Sequence, residues 1–66
     1  MTVTVNGETR TIDEGQSVED LLRALGLDKE RCAVERNATL VSPSERSATR
    51  LCDGDRVEIV RFVGGG

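Results

Sequence analysis

Histidine is missing from the chain altogether, and with it go the commonest general base and the commonest metal ligand. Catalysis within this chain, and a metal site, are therefore not expected. Tryptophan and tyrosine are absent too, and a single phenylalanine offers no stacking platform for bases. A net charge of −3 argues further against nucleic acid or an anionic membrane surface as partner. No hydrophobic run is long enough to span a bilayer, and the opening Met1-Thr2-Val3-Thr4-Val5 lacks a basic stretch followed by an apolar one, so the expected location is the cytoplasm. The two cysteines, Cys32 and Cys52, are too far apart for a CxxC metal or redox motif, and a reducing cytosol disfavours a bridge. Both are expected to be small buried apolar residues, since nothing beside them supports a reactive thiol. With 66 residues the chain makes one small domain. A domain of that size buries only about 60% of its unfolded surface, which leaves no room for a large substrate cavity.

What is present reads as a short series of strands around one helix. Thr2-Val3-Thr4-Val5 alternates β-branched residues, Asn6-Gly7 comes next, and Glu8-Thr9-Arg10-Thr11-Ile12 resumes the alternation. Asn-Gly between such runs predicts a hairpin with a type I′ turn, which needs positive φ at both centres. Residues 13–16 form a loop. Ser17 then stands as an N-cap with Asp20 at the third helical position, an approximate capping box. Val18, Leu21, Leu22 and Leu25 fall at i, i+3, i+4 and i+7, one apolar stripe that has to lie on a sheet. Gly26 is placed as the left-handed cap and Leu27 as its hydrophobic contact with Leu22, so the helix is predicted over 18–25. Cys32-Ala33-Val34-Glu35-Arg36 is the third strand, ended by Asn37, and Thr39-Leu40-Val41 its short partner, stopped by Pro43. Residues 44–50 are polar, with room for one helical turn, and Asp53-Gly54-Asp55 turns the chain into a last strand.

That last strand, Val57-Glu58-Ile59-Val60-Arg61-Phe62-Val63, runs directly into Gly64-Gly65-Gly66. If Val57 and Ile59 face the helix with Val3, Val5 and Val34, then Glu58, Val60 and Phe62 face the other way by the period of two. Val60 and Phe62 then form either an apolar anchor on the open face or a pair covered by a bend or returning loop. The glycines lack Cβ atoms and can enter a slot too narrow for side chains. Fully extended, three residues reach about 10 Å beyond the last packed one, enough to enter a site on another protein.

One helix stripe covered by one sheet face implies a two-layer α+β domain. The order of elements resembles the β-grasp, or ubiquitin-like, fold: a mixed sheet of about five strands packed on one main helix, 1–66, with a flexible glycine tail at 64–66. Val5-Asn6-Gly7, Val34-Glu35-Arg36-Asn37 and the run from Asp53-Gly54-Asp55 through Phe62-Val63-Gly64-Gly65-Gly66 are similar to the ThiS family, the sulfur carriers of thiamin biosynthesis. The resemblance covers the whole chain. It implies that the carboxylate of Gly66 is adenylated by an ATP-using, E1-like, ThiF-type enzyme and converted by a persulfide sulfur donor to a thiocarboxylate. Thiazole synthase would then take that sulfur into the thiazole ring. Gly64 and Gly65 would thread the tail into the partners' sites, and Val60, Phe62 and Val63 would anchor the carrier. The chain would be a protein co-substrate with no bound cofactor, ATP being consumed by its partner. It has no phosphate loop of the G-x-x-x-x-G-K type. Other readings are the small subunit of molybdopterin synthase, a ubiquitin-like modifier joined to lysines, a module that only binds, and a frayed terminus without function.

Overall fold

The computed structural model describes residues 1–62. Strand β1 (Thr2–Val5) turns into β2 (Glu8–Thr11), α1 (Val18–Ala24) crosses over, β3 (Cys32–Arg36) pairs with β4 (Thr39–Val41), and a 3-10 turn (Pro43–Glu45) leads round to β5 (Arg56–Arg61). The sheet order is β2-β1-β5-β3-β4, so the strand that comes last in the sequence lies in the middle of the sheet. It runs parallel to β1, Thr4 opposite Arg56 and Val5 opposite Val57. It runs antiparallel to β3, from Arg36 opposite Val57 to Cys32 opposite Arg61. One helix on one face of a mixed sheet is the expected two-layer α+β arrangement.

Local chemistry makes most of these elements. Asn6 and Gly7 have φ of 50° and 85°, the pair of left-handed residues that a type I′ turn demands. The helix starts in a complete capping box: the Asp20 amide donates to Ser17 Oγ at 3.1 Å and the Ser17 amide to Asp20 Oδ2 at 2.9 Å. Those bonds, the backbone one foremost, hold the Asp20 carboxyl below its ordinary range. The next orphan donors are met from outside the helix, the Val18 amide by the Thr49 carbonyl and the Glu19 amide by the Arg46 carbonyl. At the other end the helix stops at Ala24, one residue before the expected limit, with Leu25 as the cap. Gly26, at φ 74°, and Leu27 close a Schellman motif, Gly26 N–H to the Arg23 carbonyl and Leu27 N–H to the Leu22 carbonyl.

The helix stripe Val18, Leu21 and Leu22 meets Val3, Val5, Val34, Val57 and Ile59 in one core, closed at the sides by Cys32, Val41 and Leu51. The one short helical turn expected within residues 44–50 is present as the 3-10 turn Pro43–Glu45. It begins earlier, at Pro43, because proline's fixed φ suits the first position of a helical turn. Beyond that turn the chain is irregular, and the Arg46 and Thr49 carbonyls are spent on the helix start. Cys52 corrects the expectation that both cysteines are buried. Cys32 is buried, but Leu51 takes the inward place before the turn and leaves Cys52 at the surface, its sulfur accepting from Arg36 Nη2 at 3.5 Å.

Candidate functional site

The site is built on β5, and its geometry depends on how firmly that strand is held. At its start, Asp55 is buried and its carboxylate accepts from Arg36 Nε at 2.7 Å, Asn37 Nδ2 at 2.9 Å and the Cys52 amide at 2.8 Å. Burial pushes this carboxyl up. The hydrogen bonds from Arg36, Cys52 and Asn37 outweigh it and hold the group below its ordinary value of 3.8. Asn37 also brackets Arg56, its own amide donating to the Arg56 carbonyl and its Oδ1 accepting from the Arg56 amide. Next door, Asp53 Oδ1 accepts from the Thr2 amide at 2.7 Å, which ties the turn to β1.

Further along, β1 ends while β5 continues, and the Asn6 side chain takes over as a substitute strand. Its Oδ1 accepts from the Ile59 amide at 2.7 Å and its Nδ2 donates to the Ile59 carbonyl at 3.1 Å. On the opposite edge β3 pairs as far as Arg61, and the Phe62 amide donates to the Arg31 carbonyl at 2.9 Å. Arg61 also reaches Glu30, 2.8 Å away, an exposed pair of small energetic weight. The backbone is thus hydrogen-bonded through β5 and as far as Phe62, the last described residue.

Side chains alternate along β5 as expected. Val57 and Ile59 are buried with Val3, Val5 and Val34, while Val60 and Phe62 are 59% and 62% exposed, so no bend or loop among the described residues covers them. Leu40, 65% exposed, joins them from β4. Sequence reasoning missed that residue, although the inward Val41 beside it already implied an outward Leu40 by the period of two. It also missed Asp55, which reads as one more turn aspartate until its partners are in view. Val63, Gly64, Gly65 and Gly66, expected as the last anchor and the tail, lie outside the described residues.

The described residues also form one shallow cleft of about 200 Å³ at the β4 edge, lined by Arg36, Thr39, Leu40, Val41, Glu45 and Thr49. That is smaller than the roughly 300–1,000 Å³ typical of small-molecule sites. The arrangement is that of a presented surface. The central strand and the residue after it hold two apolar side chains, Val60 and Phe62, outward and lead onward, in sequence, to the glycines.

The family model of ThiS matches residues 3–66, a span that takes in this strand and every residue after it. The chain belongs to the ThiS family. A Geobacter metallireducens thiamine biosynthesis protein (ThiS), solved as a crystal structure, superimposes with a TM-score of 0.83 at 39% identity over the full length of both chains. The β-grasp fold expected from the order of elements is therefore the fold of this family member. The sulfur carrier protein ThiS of Bacillus subtilis is 40% identical over 50 residues, 76% of each chain. A thiazole synthase of Paramagnetospirillum magneticum is 44% identical across all 66 residues, which make up 20% of that protein. The chain thus spans about a fifth of the length of the thiazole synthases it matches.

Proposed function

We propose that this ThiS-family chain carries sulfur for the thiazole ring of thiamin as a thiocarboxylate on Gly66, and that it is a protein co-substrate, not an enzyme. The observation that carries the reading is a contiguity in sequence within the matched span. The matched span runs unbroken from the exposed Val60 and Phe62 into Gly64-Gly65-Gly66.

The chemistry is set by what a carboxylate can do. Ionised at neutral pH, with a reference pKa of about 3.3–3.7, it repels nucleophiles and has to be activated. In the proposed sequence a Gly66 carboxylate oxygen attacks the α-phosphorus of ATP on an adenylating partner, and pyrophosphate leaves. A persulfide sulfur then attacks the acyl carbon of the resulting adenylate, and AMP departs. The acyl disulfide so formed is cleaved by a second thiol, which becomes half of a new disulfide and releases the thiocarboxylate. Thiazole synthase is the acceptor that removes the sulfur. In these steps the chain supplies the carboxylate, the thread of Gly64 and Gly65, and the anchor Val60, Phe62 and Val63. The partners supply nucleotide binding and acid–base groups.

The similarity of the chain to proteins named thiazole synthase and sulfur carrier protein favours this branch over molybdopterin synthase or lysine modification. Incubation with an adenylating enzyme, ATP and a persulfide source, followed by intact-mass spectrometry, tests it. One oxygen should be replaced by sulfur, and fragmentation should place the change on Gly66. ATP consumption without that mass change would overturn the reading.

A further inference from the structure

The register that exposes Val60 and Phe62 also sets two glutamates side by side. Glu35 of β3 and Glu58 of β5 are direct cross-strand partners, both exposed and, by the period of two, on the same open face as Val60 and Phe62. Cβ atoms of such partners lie about 4.5–5.5 Å apart, and like charges so placed repel. Neither carboxylate belongs to an ion pair among the described residues, Arg56 two positions along the same face included. The helix packs on the other face, so the fold gains nothing visible from this pair.

The pair does not sit at the margin of the apolar patch. Leu40 stands opposite Glu35 on its far side, and Ala33 stands opposite Val60 one row along. A protein surface that closes over Leu40 and Val60 together therefore closes over Glu35 as well. Burying a carboxylate without a partner is costly, and burying two adjacent ones more so. Apolar complementarity alone cannot make that contact.

We infer that the protein face docking on this sheet carries an arginine that seats between Glu35 and Glu58, with apolar side chains around it to meet Leu40, Val60 and Phe62. A guanidinium suits the place because its planar fork of donors can address two neighbouring carboxylates at once. The pair then acts as a discriminator: a surface that offers the apolar contacts without the cation is rejected by two stranded charges. This inference rests on the carrier reading above, and the docking partner it concerns is the adenylating enzyme.

The test compares wild type with Glu35→Gln, Glu58→Gln and the double variant, measuring binding to the adenylating enzyme by calorimetry at low and high salt beside unfolding of the free carrier. Each single change should weaken binding on the order of 10- to 100-fold, as expected for one member of a desolvated charge contact. The double variant should lose less than the product of the two, because one cation serves both. Its binding should also lose most of its salt dependence. The same variants should unfold at equal or slightly higher temperature, since a repulsion has been removed. Variants that bind with wild-type affinity and salt dependence, while wild type is sulfurated normally, overturn the inference and leave the carrier reading standing. Weaker binding accompanied by a lower unfolding temperature overturns it too, by making the pair structural. A wild type that is never adenylated takes both readings down.

Discussion

At the start of β5 a buried carboxylate collects hydrogen bonds from Arg36, Asn37 and Cys52, whereas at the far end Val60 and Phe62 hold apolar side chains out to solvent. Each end departs from the usual sorting of residues, one by burying a charge and the other by exposing large apolar groups. The reasons differ. The Asp55 charge is compensated within the chain, so its burial serves the fold. Val60, Phe62 and Leu40 have no cover among the described residues, and on the proposed function their exposure serves a partner. The contrast separates two kinds of role: Asp55 ties segments of the domain together, and the exposed residues are the ones the proposed function assigns to a partner.

The sharpest way to break that contrast is at its buried end. Asp55→Ala strands the Arg36 guanidinium and two further donors, and should destabilise the domain by about 3–5 kcal/mol. For a chain of this size such a loss is a large share of total stability, and urea unfolding would show it. If sulfur loading fell while stability stayed put, Asp55 would belong with the site instead.

Gly65→Val attacks the other end and should do the reverse. The melting curve should match wild type within about 0.5 kcal/mol, as for changes away from special features. Thiocarboxylate formation should drop on the order of 100-fold, because a branched side chain in a narrow slot moves the reacting group off line. A variant sulfurated at the normal rate would make the glycines mere slack.

Phe62→Ala should act on binding alone, weakening the contact with the adenylating enzyme by about 1–4 kcal/mol while leaving the fold nearly as stable. A stability loss of about 3–5 kcal/mol would instead mark Phe62 as core and erase the distinction between the two ends.

Acid offers a gentler probe. The folded pKa of Asp55 lies below its ordinary 3.8, so its contribution is fully present above about pH 5. That contribution disappears as the pH falls through the folded value. Wild type should therefore lose stability on acidification more steeply than Asp55→Asn, which has no carboxylate to protonate. Parallel curves for the two would show that the Asp55 carboxylate stabilises nothing as a charge.

The smallest effect concerns the β3–β4 turn, where Asn37 and Ala38 both have positive φ, 51° and 69°. Alanine strains there and glycine does not, so Ala38→Gly should raise stability by about 0.5 kcal/mol, readable as a modest shift in urea midpoint. It should leave sulfur loading untouched.

Legible in the sequence were the features that neighbouring residues decide. Asn6-Gly7, the Ser17–Asp20 box, the Gly26 cap and the alternation along β5 each act within a few positions, and each is found where local chemistry puts it. The family likeness, too, lay in contiguous motifs. Hidden were the features that need two distant segments at once. Asp55 is distinguished from the other turn aspartate, Asp53, only by Arg36 and Asn37 arriving from β3. Cys52 looked as apolar as Cys32 until Leu51 claimed the inward place. Glu35 and Glu58 became a pair only when the register of β3 against β5 was known.

The central place of β5 bears on how the domain comes into being. Synthesis delivers the two hairpins and the helix first, but β1 and β3 are not neighbours in the sheet, and neither hairpin has its inner partner until residues 56–62 arrive. Isolated two-stranded hairpins are marginal in water at best. The parallel match of β5 to β1 also joins segments some fifty positions apart, Thr4 with Arg56, a pairing whose loop-closure entropy has to be met before it returns any stability. Assembly of the full sheet is therefore expected only once β5 is available. A nascent or truncated chain that stops short of Arg56 lacks the one strand that joins the two hairpins into a single sheet.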